Sequence, residues 1–389
     1  MRDFPRERTK ELNFGSMSQK TPPRALRSGL AALPNRMPLF PTLGALPTGL
    51  RKERVLASPR FSDGRFRNTD PRVGPGLKSG ERWSTMRDFA FGPTRRPPIR
   101  LPVERPHEAW RAASETGLRV TWLGHSTLLL EIDGVRVLTD PVFGERTSPV
   151  GFAGPRRFHD APTSVAELPE LDAVLISHDH FDHLDYGTIL ELIARDVPFV
   201  TSLGVGAHLE AWGASPANIV ELDWWEEWAL PKADLSITAT PAAHFSGRGL
   251  GTRSTSLWSS WVLKGRQHKV FFSGDTGLTD EFVEVGKRLG PFDLTLLEIG
   301  AYHPAWGTIH LGPDNALIAH RMLGSGALLP VHWSTFDLGL HAWEQPAETL
   351  FAAHLDHDVR LVTPRLGRPI ELSRTEGPDP WWREVKPPK

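Results

Sequence analysis

The sequence contains no cysteine, which excludes disulfides, thiolate metal ligands, iron–sulfur clusters and cysteine nucleophiles together. Any metal ion must rest on nitrogen and oxygen donors. Long apolar runs are missing too. The charged start MRDFPRERTK leads into no uninterrupted apolar stretch of the length a signal peptide or membrane span requires, so the expected location is the cytoplasm, with at most peripheral contact to a membrane. Net charge is almost absent, at −1 over 389 residues, but the balance hides an asymmetry. Residues 1–110 carry 22 Lys/Arg against 10 Asp/Glu, whereas the remainder carries 23 against 36. A basic segment of this kind could meet anionic lipid or nucleic acid, and could equally wrap against its own acidic domain.

What is present is a globular composition, 39% hydrophobic and 23% charged, enough to bury a large core. The texture changes near residue 110. Before it, stretches such as PNRMPLFPTLGALPTGL and FGPTRRPPIRLPVERP show no helical or strand period, so residues 1–110 read as an irregular Pro/Arg-rich arm. Phe61, Phe66, Trp83, Phe89 and Phe91 are expected to lay its second half on the main domain, with the first fifty residues free. Gly29 to Leu50 is apolar enough to touch a membrane surface, although its prolines argue against an amphipathic helix.

From Leu118 onward, short apolar runs alternate with helix-compatible stretches. LRVTWLG, STLLLEIDG, VRVLTDP, LDAVLISH, PFVTSL, LSITATPA, SSWVLKG, HKVFFSGD, LTLLEIG, ALLPVHW and VRLVTP read as strands. YGTILELIARD, DEFVEVGKRLG, GPDNALIAHRMLG and PAETLFAAHLD read as helices. Residues 111–389 are therefore expected to form a layered α/β domain. Asp133-Gly134 marks a tight hairpin between two of the strands.

The chemistry concentrates in VLISHDHFDHLD, where an apolar strand runs into His178, His180, Asp182 and His183. A lone histidine is by default a surface or satisfied core residue. Four imidazole and carboxylate groups within six positions at a strand end are not, because crowded imidazoles repel or go unsatisfied without an ion. Such donors suit Zn²⁺, with Fe²⁺ or Mn²⁺ as alternatives.

The spacing HxHxDH is the defining motif of the metallo-β-lactamase superfamily, which this sequence resembles. The resemblance implies a four-layer αββα sandwich with metals at one edge, and further ligands in order: His244 in TATPAAHFSGRG, Asp275 in VFFSGDTG and His332 in LLPVHWSTF. It further implies a first site of His178, His180 and His244, a second of Asp182, His183 and His332, and Asp275 bridging two zinc ions. A bridging carboxylate offsets the repulsion between two divalent cations, which together lower the pKa of a shared water.

Within the superfamily the sequence is most similar to the N-acylphosphatidylethanolamine-hydrolysing phospholipase D type and its bacterial relatives. SPRFSDGRFRN, WLGHSTLLLEIDGVRVLTDPVFGERTSP, ELDWWEE, IGAYHPAW and HLGPDNALIAHRMLGSGALLPVHWSTF carry that likeness. It implies that His310 stands beside the substrate phosphate, donating to the oxyanion or leaving group, and that His125 lies near the metal pocket, binding substrate or serving a purely structural part. His303 and Trp306, in a variable loop, and His159, in RRFHDAP, depart from the pattern and bear on substrate identity. Trp224, Trp225 and Trp228 are read as core rather than as an acyl groove.

The expected reaction is attack on a phosphodiester phosphorus by a metal-bridging hydroxide that Asp182 helps to orient. Lactone, ester or amide hydrolysis at the same site is the alternative. A di-iron oxidoreductase is disfavoured by His180, and a nuclease by the short interval from Asp275 to His332. The expected partner is a phospholipid or another small phosphodiester, not nucleic acid, with membrane contact and homodimer formation left open.

Overall fold

Along the strand TLLLEI, Leu128, Leu130 and Ile132 enter one buried cluster while Leu129 enters another. A two-residue period with apolar residues on both faces is the mark of a strand sandwiched between layers. Ala173 and Leu175 against Val174 and Ile176 repeat the pattern. The architecture follows from strands of this kind.

The structure is a computed structural model that describes residues 40–74, 80–231, 233–249 and 251–386. Expectations for residues 1–39, and for the side chains of Phe89 and Phe91, lie outside the described residues. Ahead of the main domain come α1 (Gly49–Ala57), a hairpin of β1 (Phe61–Ser62) and β2 (Arg65–Phe66), α2 (Arg82–Phe91) and α3 (His107–Trp110). There follow β3 (Leu118–Gly124), β4 (Thr127–Ile132), β5 (Val135–Thr139), β6 (Ala173–Ile176), α4 (Tyr186–Ile193), β7 (Phe199–Ser202), α5 (Gly206–Ala211) and β8 (Ile219–Leu222). The second half comprises β9 (Glu227–Ala229), β10 (Ser236–Thr240), β11 (Ser260–Lys264), β12 (Lys269–Phe272), α6 (Glu281–Leu289), β13 (Phe292–Glu298), α7 (Gly312–Leu323) and β14 (Ser325–Val331). The chain ends with α8 (Gln345–Ala353), β15 (Arg360–Leu361) and β16 (Pro369–Glu371).

Two seven-stranded mixed sheets result, in the orders β16-β3-β4-β5-β6-β7-β8 and β15-β14-β13-β12-β11-β10-β9. Each is half antiparallel and half parallel: β16 to β5 and β12 to β9 pair antiparallel, while β5 to β8 and β15 to β12 pair parallel. One cluster fills the space between the sheets with residues such as Leu130, Val137, Trp261 and Phe272. α4 and α5 cover the outer face of the first sheet through Ile189, Leu192 and Leu209. α6, α7 and α8 cover the second through Phe282, Leu317 and Leu350. This is the αββα sandwich expected. Asp133 and Gly134 take positive φ of 51° and 90° between β4 and β5, the two left-handed residues that a tight hairpin needs.

The described part of the arm is less irregular than its composition suggests. α1 occupies the proline-free interval between Pro47 and Pro59. Phe66 is buried with Val55, Trp224, Leu257 and Trp258, whereas Trp83 is 79% exposed. Among the described residues no helix is long and apolar enough to cross a membrane.

Candidate metal centre

β6 is buried on both faces as far as Ile176, and α4 is capped by Asp185, whose carboxylate accepts from Thr188 N at 3.1 Å. The short turn between them therefore has both ends fixed, and it carries the HxHxDH residues. His178 Nε2 lies 2.8 Å from His180 Nδ1, and His244 Nε2, reaching over from the turn after β10, lies 3.3 Å from the same atom. Asp275 follows β12 and His332 follows β14, so both sheets deliver side chains to one edge.

Three groups of donors converge there: His178, His180, His244 and Asp275; His125, Asp182, His183 and His332; and Asp275, His310 and His332. Within each group the donor atoms lie within 4.8 Å of one another. Asp275 joins the first two. Its Oδ1 stands 3.2 Å from His183 Nε2, and its Oδ2 stands 3.2 Å from His332 Nε2, 3.7 Å from His244 Nε2 and 4.0 Å from His178 Nε2. All seven residues expected as ligands thus meet at one place.

The donor set fits divalent ions. His183 Nε2, His332 Nε2 and Asp275 Oδ1 are buried and lack a hydrogen-bond partner, although they point at one another. Leaving such atoms unsatisfied costs on the order of 1–3 kcal/mol each, and a cation between them removes the cost. His125 and His332 also hold positive φ of 54° and 62°, a conformation that costs a side-chain-bearing residue of order 1–3 kcal/mol and gathers at functional sites. The backbone there is fixed by His332 N donating to His125 O at 3.0 Å and Trp122 Nε1 donating to the same oxygen at 2.9 Å. Gly300 lets the chain pass, because a Cβ there would lie 2.0 Å from His332 O.

Electrostatics sort the histidines. Burial holds His178 and His244 well below the ordinary imidazole range and takes His125 down to about 3, so these rings are neutral. Burial also opposes charge on His183 and His332, yet Asp275 and Asp182 hold His183 well above the usual range and Asp275 lifts His332 to about 10. Against their own burial, His183 keeps Asp182 and Asp275 ionised.

Several outer residues escaped the sequence reading. Asp140, just past β5, accepts from His183 Nδ1 at 2.7 Å, from Ser177 Oγ at 2.7 Å and from Ser177 N at 2.7 Å. Ser177 Oγ in turn lies 2.9 Å from His178 Nδ1. His244 Nδ1 donates to Ile309 O at 2.9 Å. These partners place the ring protons on Nδ1 and turn the Nε2 lone pairs inward. The signal for Asp140 was an acidic residue ending the run VRVLTD beside the motif strand.

His310 stacks near His332 and sits 4.0 Å from Asp275, with Nδ1 held by Glu298, a fully buried residue at the end of β13. It also forms part of the wall of an open groove of about 740 Å³ that includes Tyr302, His303, Trp306 and Leu311. His125 is 2% exposed, with Nε2 3.0 Å from Asp182 Oδ2. That contact braces Asp182, and His125 lines a water-sized cavity together with His332. His159 is buried against Thr335 and Asp160, and His303 pairs with Asp88 at 3.3 Å. Trp224 is buried, while Trp225 and Trp228 are half-buried against the core, as expected.

A family model described as "Beta-lactamase superfamily domain" matches residues 135–333, the interval from β5 past His332. An uncharacterized protein of Mycobacterium tuberculosis is 43% identical over 92% of this chain and 99% of its own length. The "N-acyl-phosphatidylethanolamine-hydrolyzing phospholipase D 1" of Caenorhabditis elegans is 39% identical over 67% of this chain and 77% of its own length. Among solved structures, an isothiocyanate hydrolase from Delia radicum gut bacteria superposes with a TM-score of 0.52 at 22% identity, covering 65% of this chain and 98% of that one. That last likeness speaks for the fold alone. With its two seven-stranded sheets and its donor clusters at their shared edge, the chain belongs to the metallo-β-lactamase-fold superfamily of metal-dependent hydrolases.

Proposed function

We propose that this protein is a phosphodiesterase of phospholipase D type that uses two zinc ions and acts on N-acylphosphatidylethanolamine-like lipids. The observation that carries the reading is His310: it is held by Glu298 next to Asp275 and opens onto the groove. His178, His180, His244 and Asp275 would hold one ion; Asp182, His183 and His332, with Asp275 at 3.2 Å from each of those two rings, would hold the other. When bound, such a pair acidifies a shared water and neutralises charge on phosphoryl oxygens.

The remaining roles fall to the chain itself. Glu298 keeps the His310 proton on Nδ1 and favours the charged ring against burial. In the charged form, Nε2 donates a proton to the oxygen that leaves phosphorus as the P–O bond breaks. His125 fixes Asp182 by holding Oδ2, the oxygen that also faces His183 at 3.5 Å and His332 at 3.3 Å. Tyr302, Trp306, Leu278 and Leu311 give the groove an apolar wall suited to an acyl chain, with Arg72 at its rim. The likeness to the nematode phospholipase supports this substrate class.

The test is hydrolysis by zinc-loaded protein of three substrates: an N-acylated phosphatidylethanolamine, a simple phosphodiester and a lactone. Release of an N-acylethanolamine from the lipid supports the reading. Turnover of the lactone alone contradicts it.

A further inference from the structure

Arg248 is 2% exposed and lies outside every donor group, yet it touches the ligand turn at both ends. Its Nη1 donates to Asp179 O at 2.7 Å and to Leu184 O at 2.8 Å. Between those two carbonyls lie His180, Asp182 and His183. Its guanidinium also stacks 4.1 Å over the ring of Phe181, the residue at the middle of the turn. One planar group with fixed donor directions therefore sets the span of the segment that supplies donors to both clusters.

The third donor looks the other way. Arg248 Nε donates to Thr42 O at 2.9 Å, in the N-terminal arm. The same short segment is fastened three times more, once by Thr42 Oγ1 donating to Pro149 O at 2.7 Å. Trp212 Nε1 donates to Pro41 O at 2.7 Å, and Ala45 N donates to His208 Nδ1 at 3.0 Å. Accepting at Nδ1 puts the His208 proton on Nε2, which lies 3.2 Å from Asp179 Oδ2. Gly44 permits the approach, with φ of 69° and an absent Cβ that would fall 2.0 Å from His208 Nδ1.

We infer that the segment Pro41–Ala45 is a working part of the metal centre, and that Arg248 is a positioning residue coupling it to the turn bearing His180, Asp182 and His183. The inference rests on the reading that these residues hold metal. Its physical basis is preorganisation. A turn held at both carbonyl ends presents its donors before an ion arrives, and a loosened turn must be ordered by the ion at the expense of affinity. Lysine, a point charge without the planar fork, could not reproduce the set.

The experiment measures zinc affinity of the full-length chain by competition with a chromophoric chelator, alongside the thermal midpoint of the metal-free protein. Arg248→Met and Gly44→Ala should each weaken zinc binding by about 10- to 100-fold, the range seen when partners that orient metal ligands are removed. Arg119→Met is the control: Arg119 is also buried, at 6% exposed, but paired with Glu131 at the far end of β3 from His125, and its loss should lower the midpoint without changing zinc affinity. Gly44→Ala decides the matter should Arg248→Met fail to fold. Wild-type affinity in the folded variants, or an equal fall in the control, would overturn the inference and leave the metal centre standing. Failure of the wild-type chain to take up any zinc would overturn the metal reading itself.

Discussion

His310 Nδ1 stands 3.1 Å from each carboxylate oxygen of Glu298. Glu298 also accepts from Thr276 N at 3.1 Å and Leu311 N at 3.0 Å, so it is a fixed anchor for the ring. His310→Ala should keep both ions and lose about 10²- to 10⁴-fold in kcat, the usual contribution of a positioned proton donor. Glu298→Gln should give a smaller loss with metal content unchanged, because the amide can still orient the ring but not hold its charge. Steady-state kinetics with elemental analysis of the same samples checks both.

Asp140 provides a second test. It orients His183 directly and His178 through Ser177 while donating nothing to the ions. Asp140→Ala should weaken metal affinity by about 10- to 100-fold with the fold retained, as read by chelator competition and far-ultraviolet circular dichroism.

The raised histidines set the sign of a pH effect. In the metal-free chain Asp275 lifts His332 to about 10 and carboxylates hold His183 well above its ordinary value. Both rings therefore carry protons near neutrality, and both must lose them to coordinate. Metal binding should release protons at pH 7, and affinity should fall as pH is lowered. Calorimetry in two buffers of different ionisation enthalpy reads the proton count; identical heats in both would contradict the assignment of these rings as ligands.

The core offers a control on the fold. Trp261 is completely buried between the sheets, and Trp261→Ala should cost about 3–5 kcal/mol of stability. Denaturant unfolding measures it.

Much of the central architecture was legible because strands such as β4 and β6 are apolar on both faces, and helices such as α6, with Phe282 and Val285 buried, present a mainly apolar face to the sheets. The elements that escaped lie mostly at sheet edges. β8, β9 and β16 are short and partly polar, with Pro369 opening β16, which is how an edge strand avoids pairing further. α1 was hidden by the prolines on either side of it. At the metal centre the donors were legible from their spacing. Asp140, Glu298 and Arg248 were not, because a single acidic residue ending an apolar run, or one arginine in a loop, carries no pattern until the fold brings its partners near. Trp83 shows the converse: its residue type suggested an anchor, and the structure leaves it in solvent.

The most direct test of the central claim is the metal content of the purified chain by elemental analysis, after reloading with zinc and removal of excess. The account predicts about two ions per chain, falling together with activity in Asp275→Ala, whose carboxylate serves both clusters. A chain that holds no metal, and takes up none when zinc, iron or manganese is supplied, would contradict it.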